Sequence, residues 1–214
     1  MSTFTPAAVL LPELPLERWE KTKDTLHLWV QIVGKVRMAS TPPRNHWWHV
    51  PLYVDVRGLT TQRMHSPGGV TFQVDFDFID HRLVVRTRAG AVESFALADG
   101  LTVAAFDERL HSILQSLAID VPIRETPFGV PVTTPFPEDR ERASYDRGAI
   151  ERYWQILDWT ATVFESSPAG TAGRRARSIC SGTRSTLPLP ASAVGAPRRS
   201  PAPTRSRARP TRTR

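Results

Sequence analysis

The chain has 214 residues, with 28 Lys+Arg against 21 Asp+Glu, a formal charge of +7 and a single cysteine. One cysteine excludes a disulfide framework and a thiolate metal site. The N-terminus has neither a basic leader nor a span-length apolar run, so the expected setting is the cytoplasm, with no membrane partner.

In chain order, the first element follows Pro15. Leu16, Trp19, Leu26, Trp29, Val30, Val33 and Val36 recur at three- and four-residue spacing, which predicts an amphipathic helix ending near Met38, ahead of Ser40-Thr41-Pro42-Pro43. Its polar side carries Asp24, His27, Gln31 and Lys35, a stripe of the kind that usually meets solvent. Residues 47–58 alternate and read as β. Ser66-Pro67-Gly68-Gly69 reads as a turn, and Thr71 to Phe78 is the clearest strand, with Phe72, Val74, Phe76 and Phe78 on one face and Thr71, Gln73, Asp75 and Asp77 on the other. A two-residue turn at Asp80-His81 sets Phe78 opposite Leu83, Phe76 opposite Val85 and Asp75 opposite Arg86.

A short strand is expected over 91–97. Thr102 then caps a helix over 102–117 with the stripe Val103, Phe106, Leu110, Ile113, Leu114 and Leu117. Pro122, Pro127, Pro131, Pro135 and Pro137 punctuate the following run, which reads as an extended crossing over the core. Ser144 or Asp146 caps a last helix through Tyr153, Ile156, Leu157, Thr160, Val163 and Phe164. Trp154 and Trp159 widen its apolar face, which predicts exposed aromatic surface and poor solubility.

Residues 167–214 differ in kind: 11 Arg and no Lys, 7 Pro, 13 Ser/Thr, no acid and no aromatic. Without them the chain holds 17 Lys+Arg against 21 Asp+Glu, a body of −4, so the excess positive charge is all theirs. Such a segment is too polar to offset its ordering entropy and reads as a disordered tail. A selected arginine arm would bind nucleic acid, and only through the tail. The favoured reading is a slipped frame in a GC-rich gene. Regrouping common codons from Arg177 onward permits an aromatic-rich string such as P-V-H-L-F-W-H-S-F-D, of the type that packs. The domain division is therefore a globular body over 1–166, incomplete at its C-terminal side, and a tail over 167–214. The hidden string repeats the helix-to-strand unit of the N-terminal region, so the body is read as the first half of a tandem-duplicated fold.

Three groups of residues can carry chemistry. His46 and His49, with Asp75 and Asp77, offer imidazole and carboxylate ligands suited to zinc, iron or manganese, provided the chain turns at 46–49. The alternative places Trp47 and Trp48 as anchors between sheet and helix, with the histidines bonded to backbone. Asp75 and Asp77 share a strand face and can divide acid and base roles, although Arg86 and Arg88 are ordinary cross-strand partners for them. His27, Gln31, Lys35, Arg37, Asn45, His46, His49 and Arg57 can line a polar cleft between the first helix and the sheet and hold a small polar or anionic ligand. P-loop, dinucleotide, nucleophile-elbow and H-E-x-x-H signatures are absent.

Thr25-Leu26-His27-Leu28-Trp29, Gln31-Ile32-Val33-Gly34-Lys35, Asn45-His46-Trp47-Trp48-His49-Val50-Pro51-Leu52-Tyr53 and Arg57-Gly58-Leu59-Thr60-Thr61 together resemble an uncharacterised bacterial family, domain of unknown function 5996. Asp75-Phe76-Asp77-Phe78-Ile79-Asp80-His81 and Glu138-Asp139-Arg140-Glu141 with Ala143-Ser144-Tyr145-Asp146 are similar to it too. The resemblance spans about residues 12–165. It implies a longer relative with a further C-terminal segment, and it implies no activity or catalytic residue. The resulting expectation is an α+β domain: an antiparallel sheet of four or five strands, covered on one face by the first helix and helix 102–117. It serves either as a small-molecule-binding or enzyme-like domain or as a structural, protein-interaction module.

Overall fold

The structure is a computed structural model that describes residues 10–166 and 179–180. The tail expected to be disordered lies outside the described residues, apart from Ile179–Cys180. Helix α1 (Leu16–Ala39) is followed by a 3-10 turn at Asn45–Trp47 and then by strands β1 (Leu52–Asp55), β2 (Gly58–Thr60), β3 (Met64–His65), β4 (Thr71–Asp77), β5 (Arg82–Thr87) and β6 (Val92–Ala96). Helix α2 (Val103–Ser116), a 3-10 turn at Phe136–Glu138, helix α3 (Arg147–Ser166) and strand β7 (Ile179–Cys180) complete the order. The chain is thus α+β. The sheet is antiparallel, ordered β6-β5-β4-β2-β1-β7, with β3 also paired to β4. No described helix is long and apolar enough to cross a membrane.

The alternation in β4 sends Phe72, Val74 and Phe76 into the core, against α1 and α2. Phe106 of α2 is the hub: its ring stacks on Trp29 at 5.0 Å and on Phe76 at 6.0 Å, and meets Phe95 edge-on at 5.3 Å. Buried aromatic pairs of this kind add about 0.5–1.5 kcal/mol each beyond the area they remove from water. Thr102 Oγ1 accepts from Ala105 N at 3.0 Å and caps α2 as expected. Asp146 Oδ1 accepts from Ala149 N at 3.1 Å and caps α3, while Ser144 instead shares a hydroxyl contact with Thr22 at 3.2 Å.

Three local expectations are corrected. The β-like stretch 47–58 is not one strand. His46 and Trp47 both adopt left-handed backbone (φ 57 and 58), the strand begins only at Leu52, and a two-residue turn at Val56-Arg57 makes a β1–β2 hairpin. Gly58 closes it because it sits at φ 148, where a Cβ would collide with the Phe76 carbonyl. The β4–β5 register is two residues off the expected one: Phe76 faces Leu83, Val74 faces Val85 and Gln73 faces Arg86. The connection is four residues, 78–81, because Asp77 Oδ1 accepts from both Ile79 N and Asp80 N at 3.0 Å and folds the chain into an Asx turn. A two-residue slip preserves the faces, so the core residues are those expected. Asp75 now reaches Arg86 diagonally, at 2.7 Å.

The third correction concerns α3. It packs on β1 and α1, Trp19 lies 5.1 Å from Tyr153, and Trp154 Nε1 donates to Asp55 O at 3.3 Å. None of its described large apolar side chains is exposed. The exposed aromatics among the described residues are Trp47, Trp48 and Phe128. All three belong to loops beside the C-terminal half of α1.

A cationic cleft on the first helix

Between Gln31 and Met38, one side of α1 forms the floor of a cleft of about 370 Å³. Gln31, Gly34, Lys35 and Met38 fall at i, i+3, i+4 and i+7, the spacing that puts four residues in one helical stripe. The first wall is the loop after α1, which contributes Trp47 and Val50. The second is the start of the proline-rich crossing, which contributes Arg124, Thr126, Pro127 and Phe128. The expected cleft between helix and sheet is therefore replaced by one between helix and loops, since the sheet-facing side of α1 is filled by core side chains.

Gln31 holds the second wall in place. Its Nε2 donates to Phe128 O at 3.0 Å and its Oε1 accepts from Phe128 N at 2.9 Å, so one amide satisfies both backbone groups of one residue. That is why Gln31 is buried at 3% exposure on a side of the helix that the sequence presents as solvated. The first wall depends on the two left-handed residues His46 and Trp47. For an indole-bearing residue that conformation is rare, and here it holds Trp47 at the cleft rim, 67% exposed.

Lys35 and Arg124 give the cleft its charge. Lys35 Nζ lies 5.6 Å from the centre of the Phe136 ring. Among the described residues neither cation has a carboxylate within ion-pairing distance. Burial, and then the charge of Arg124, hold the Lys35 ammonium below the usual lysine pKa. The rest of the lining is mainly apolar.

Of the eight residues expected to converge, only Gln31 and Lys35 line the cleft. His27 sits one turn earlier on α1 and is not part of the lining. Arg37 points to the other side of the helix, where it is buried over the Tyr53 ring at 5.1 Å; burial lowers its pKa against the opposing effect of Tyr53, and among the described residues its Nε and Nη1 have no hydrogen-bond partner. Asn45 and His46 are exposed in the 3-10 turn. His49 is buried, its Nδ1 accepts from Arg44 N at 3.1 Å, and its ring stacks on Trp47 at 5.7 Å. That bond places the proton of neutral His49 on Nε2. Arg57 lies at the opposite end of the sheet, donating through Nε to Asp77 and through Nη2 to Asp80, each at 2.6 Å.

The metal set His46, His49, Asp75 and Asp77 does not assemble. No three His, Cys, Asp or Glu among the described residues are placed to hold an ion. Each carboxylate is committed elsewhere: Asp75 to Arg86 and Gln73, Asp77 to Arg57 and two backbone N–H groups. Burial pushes the Asp77 carboxyl up, but the Arg57 bond and those N–H groups outweigh it and leave it below the usual range. Arg124, Phe128, Gly34, Met38 and Val50 were not anticipated. The available signal was the stripe Gln31, Gly34, Lys35, Met38, with a small residue between two polar ones on an amphipathic helix.

Residues 11–179 match the family of unknown function DUF5996. The chain belongs to that family. The match runs past the limit of 165 set by the sequence motifs and reaches Ile179, the residue that pairs with Tyr53 where β7 adds to β1. No curated protein and no solved structure matches the chain. For this DUF5996 member the cleft, rather than a named relative, has to carry the functional reading.

Proposed function

We propose that the chain is a small-molecule-binding, enzyme-like domain, and that its ligand is an anion with an apolar body held in the cleft on α1. The observation that supports this most is Lys35 and Arg124 sharing one apolar-walled space, with no carboxylate among the described residues paired to either. Two like charges in that setting repel each other, and an anion between them relieves both. The walls of Met38, Trp47, Val50, Pro127 and Phe128 favour a hydrocarbon or aromatic body. A volume of about 370 Å³ suits a metabolite-sized molecule. A cytoplasmic setting fits the single cysteine, Cys180.

The second reading, a protein-docking module, is favoured by the exposure of Trp47 (67%) and Phe128 (64%). The two readings part on charge. Phenylacetate is expected to change the intrinsic tryptophan fluorescence through Trp47 and to raise the melting temperature, and Lys35→Met or Arg124→Gln each to weaken that binding by roughly ten-fold or more. Undiminished binding when Lys35→Met and Arg124→Gln are combined removes the anion site and leaves the docking reading.

A further inference from the structure

The geometry points to Lys35 as an imine-forming amine, acting on a 2-oxo acid with an apolar side chain whose carboxylate is held by Arg124. This rests on the cleft reading and narrows it from binding to a covalent step. An anion site as such is served best by arginine, whose planar fork grips a carboxylate at two points and stays charged. The chain follows that preference almost everywhere: of 28 cationic side chains only Lys21, Lys23 and Lys35 are lysine. Lysine differs in one useful respect, since it can give up its proton and become a nucleophile.

Only one of the three is placed to do so. Lys21 is exposed on the first half of α1, and Lys23 is ion-paired to Asp24 at 3.2 Å. Lys35 stands in an apolar cleft beside a second cation, with no carboxylate among the described residues paired to it. Removal from water and a neighbouring positive charge are the two conditions that favour a neutral amine, and the lowered pKa of Lys35 has those two causes. The Phe136 ring, 5.6 Å away, works in the other direction by favouring the cation.

The step balances within the substrate, the amine and water. The Nζ lone pair forms a bond to the carbonyl carbon as the C=O π pair moves to oxygen. A proton passes from nitrogen to that oxygen through water, giving the carbinolamine. The C–O bond then breaks, oxygen leaves with a second proton as water, and a C=N bond remains. Nothing is oxidised or reduced. The role of Arg124 is to fix the acid so that its carbonyl carbon meets Nζ, and the apolar walls take the side chain.

The test uses the full chain with phenylpyruvate and sodium cyanoborohydride, which reduces the imine to a stable secondary amine that peptide mass spectrometry locates. Lys21, Lys23 and the α-amino group act as internal controls. The expected result is an adduct on Lys35 exceeding that on Lys21 or Lys23 by about ten-fold or more. Lys35→Arg is expected to bind phenylpyruvate without being trapped, and Arg124→Gln to cut trapping at Lys35 by at least about ten-fold. Phenyllactate, with no carbonyl, is expected to bind and to protect Lys35 from trapping. Binding of phenylpyruvate with no adduct, or with adducts spread evenly over the three lysines, overturns the imine assignment and leaves the anion cleft standing. Absence of binding by both acids overturns both.

Discussion

Two polar clusters lie along α1, and they are built on opposite principles. Near its N-terminal half, the turn after β4 is locked to α3. The Glu151 carboxylate can only accept, so in neutral His81 the Nε2 proton points to it at 3.3 Å and Nδ1 accepts from the Tyr145 hydroxyl at 2.9 Å. Burial pushes the Tyr145 pKa up, which keeps its hydroxyl a donor, and the same turn is fixed from outside by Arg57 on Asp77 and Asp80. Beside the C-terminal half, Lys35 and Arg124 face an open space with no counter-charge among the described residues paired to them. A cluster whose charges are paired with one another has little left to offer a ligand. One whose charges are uncommitted gives up stability to remain available.

The largest expected effect is therefore in the locked cluster, with no consequence for the cleft. His81→Ala deletes both bonds, leaves the buried Tyr145 hydroxyl unpartnered, and places alanine at φ 49, where it is less tolerated than histidine. A loss of about 2–4 kcal/mol is expected from urea unfolding, with phenylacetate affinity unchanged once the protein is folded. Lost affinity at full folding would show that the two regions are coupled.

Asp77→Ala comes next, at about 1–2 kcal/mol, because it removes the Asx turn and one side of an ion pair whose arginine is half exposed. Its sign with pH follows from the lowered carboxyl. The folded pKa lies below the unfolded value, so the contribution is complete above the ordinary carboxylate range and is lost as pH falls through the folded pKa. The stability gap between wild type and Asp77→Ala is expected to shrink below about pH 4. A gap that persists into stronger acid would assign Asp77 to packing rather than charge.

The same contrast explains what the sequence disclosed. Cores follow periodicity, so α1, α2, α3, β4 and β5 and their buried faces were legible, and even the mistaken β4–β5 register kept the right residues inside because the slip was by two. Turn lengths were not legible where one side chain decides them, as Asp77 does. The cleft was half legible. Gln31 and Lys35 were visible as a polar stripe, but nothing local says that residue 31 will bind the backbone of residue 128, a contact spanning 97 positions. Proximity in sequence misled for His46, His49 and Arg57, which stand near Lys35 in the family motifs yet are turned outward, bonded to backbone or sent to the far end of the sheet.

The smallest effect sharpens the comparison most, because its sign is unusual. Gly34 sits inside a helix, where glycine costs about 1 kcal/mol relative to alanine, and a Cβ there would meet only Val50 Cγ1 and Val50 O, both at an ordinary 3.9 Å. Gly34→Ala is therefore expected to raise stability by about 0.5–1 kcal/mol in thermal or urea unfolding. The added methyl rises from the cleft floor between Gln31 and Lys35 and occupies space a ligand would use, so phenylacetate affinity is expected to fall by roughly ten-fold. If glycine is there only for close packing against Val50, the variant loses stability and binding is unaffected. If it is there to deepen the cleft, stability and affinity move in opposite directions, which no structural role for that position produces.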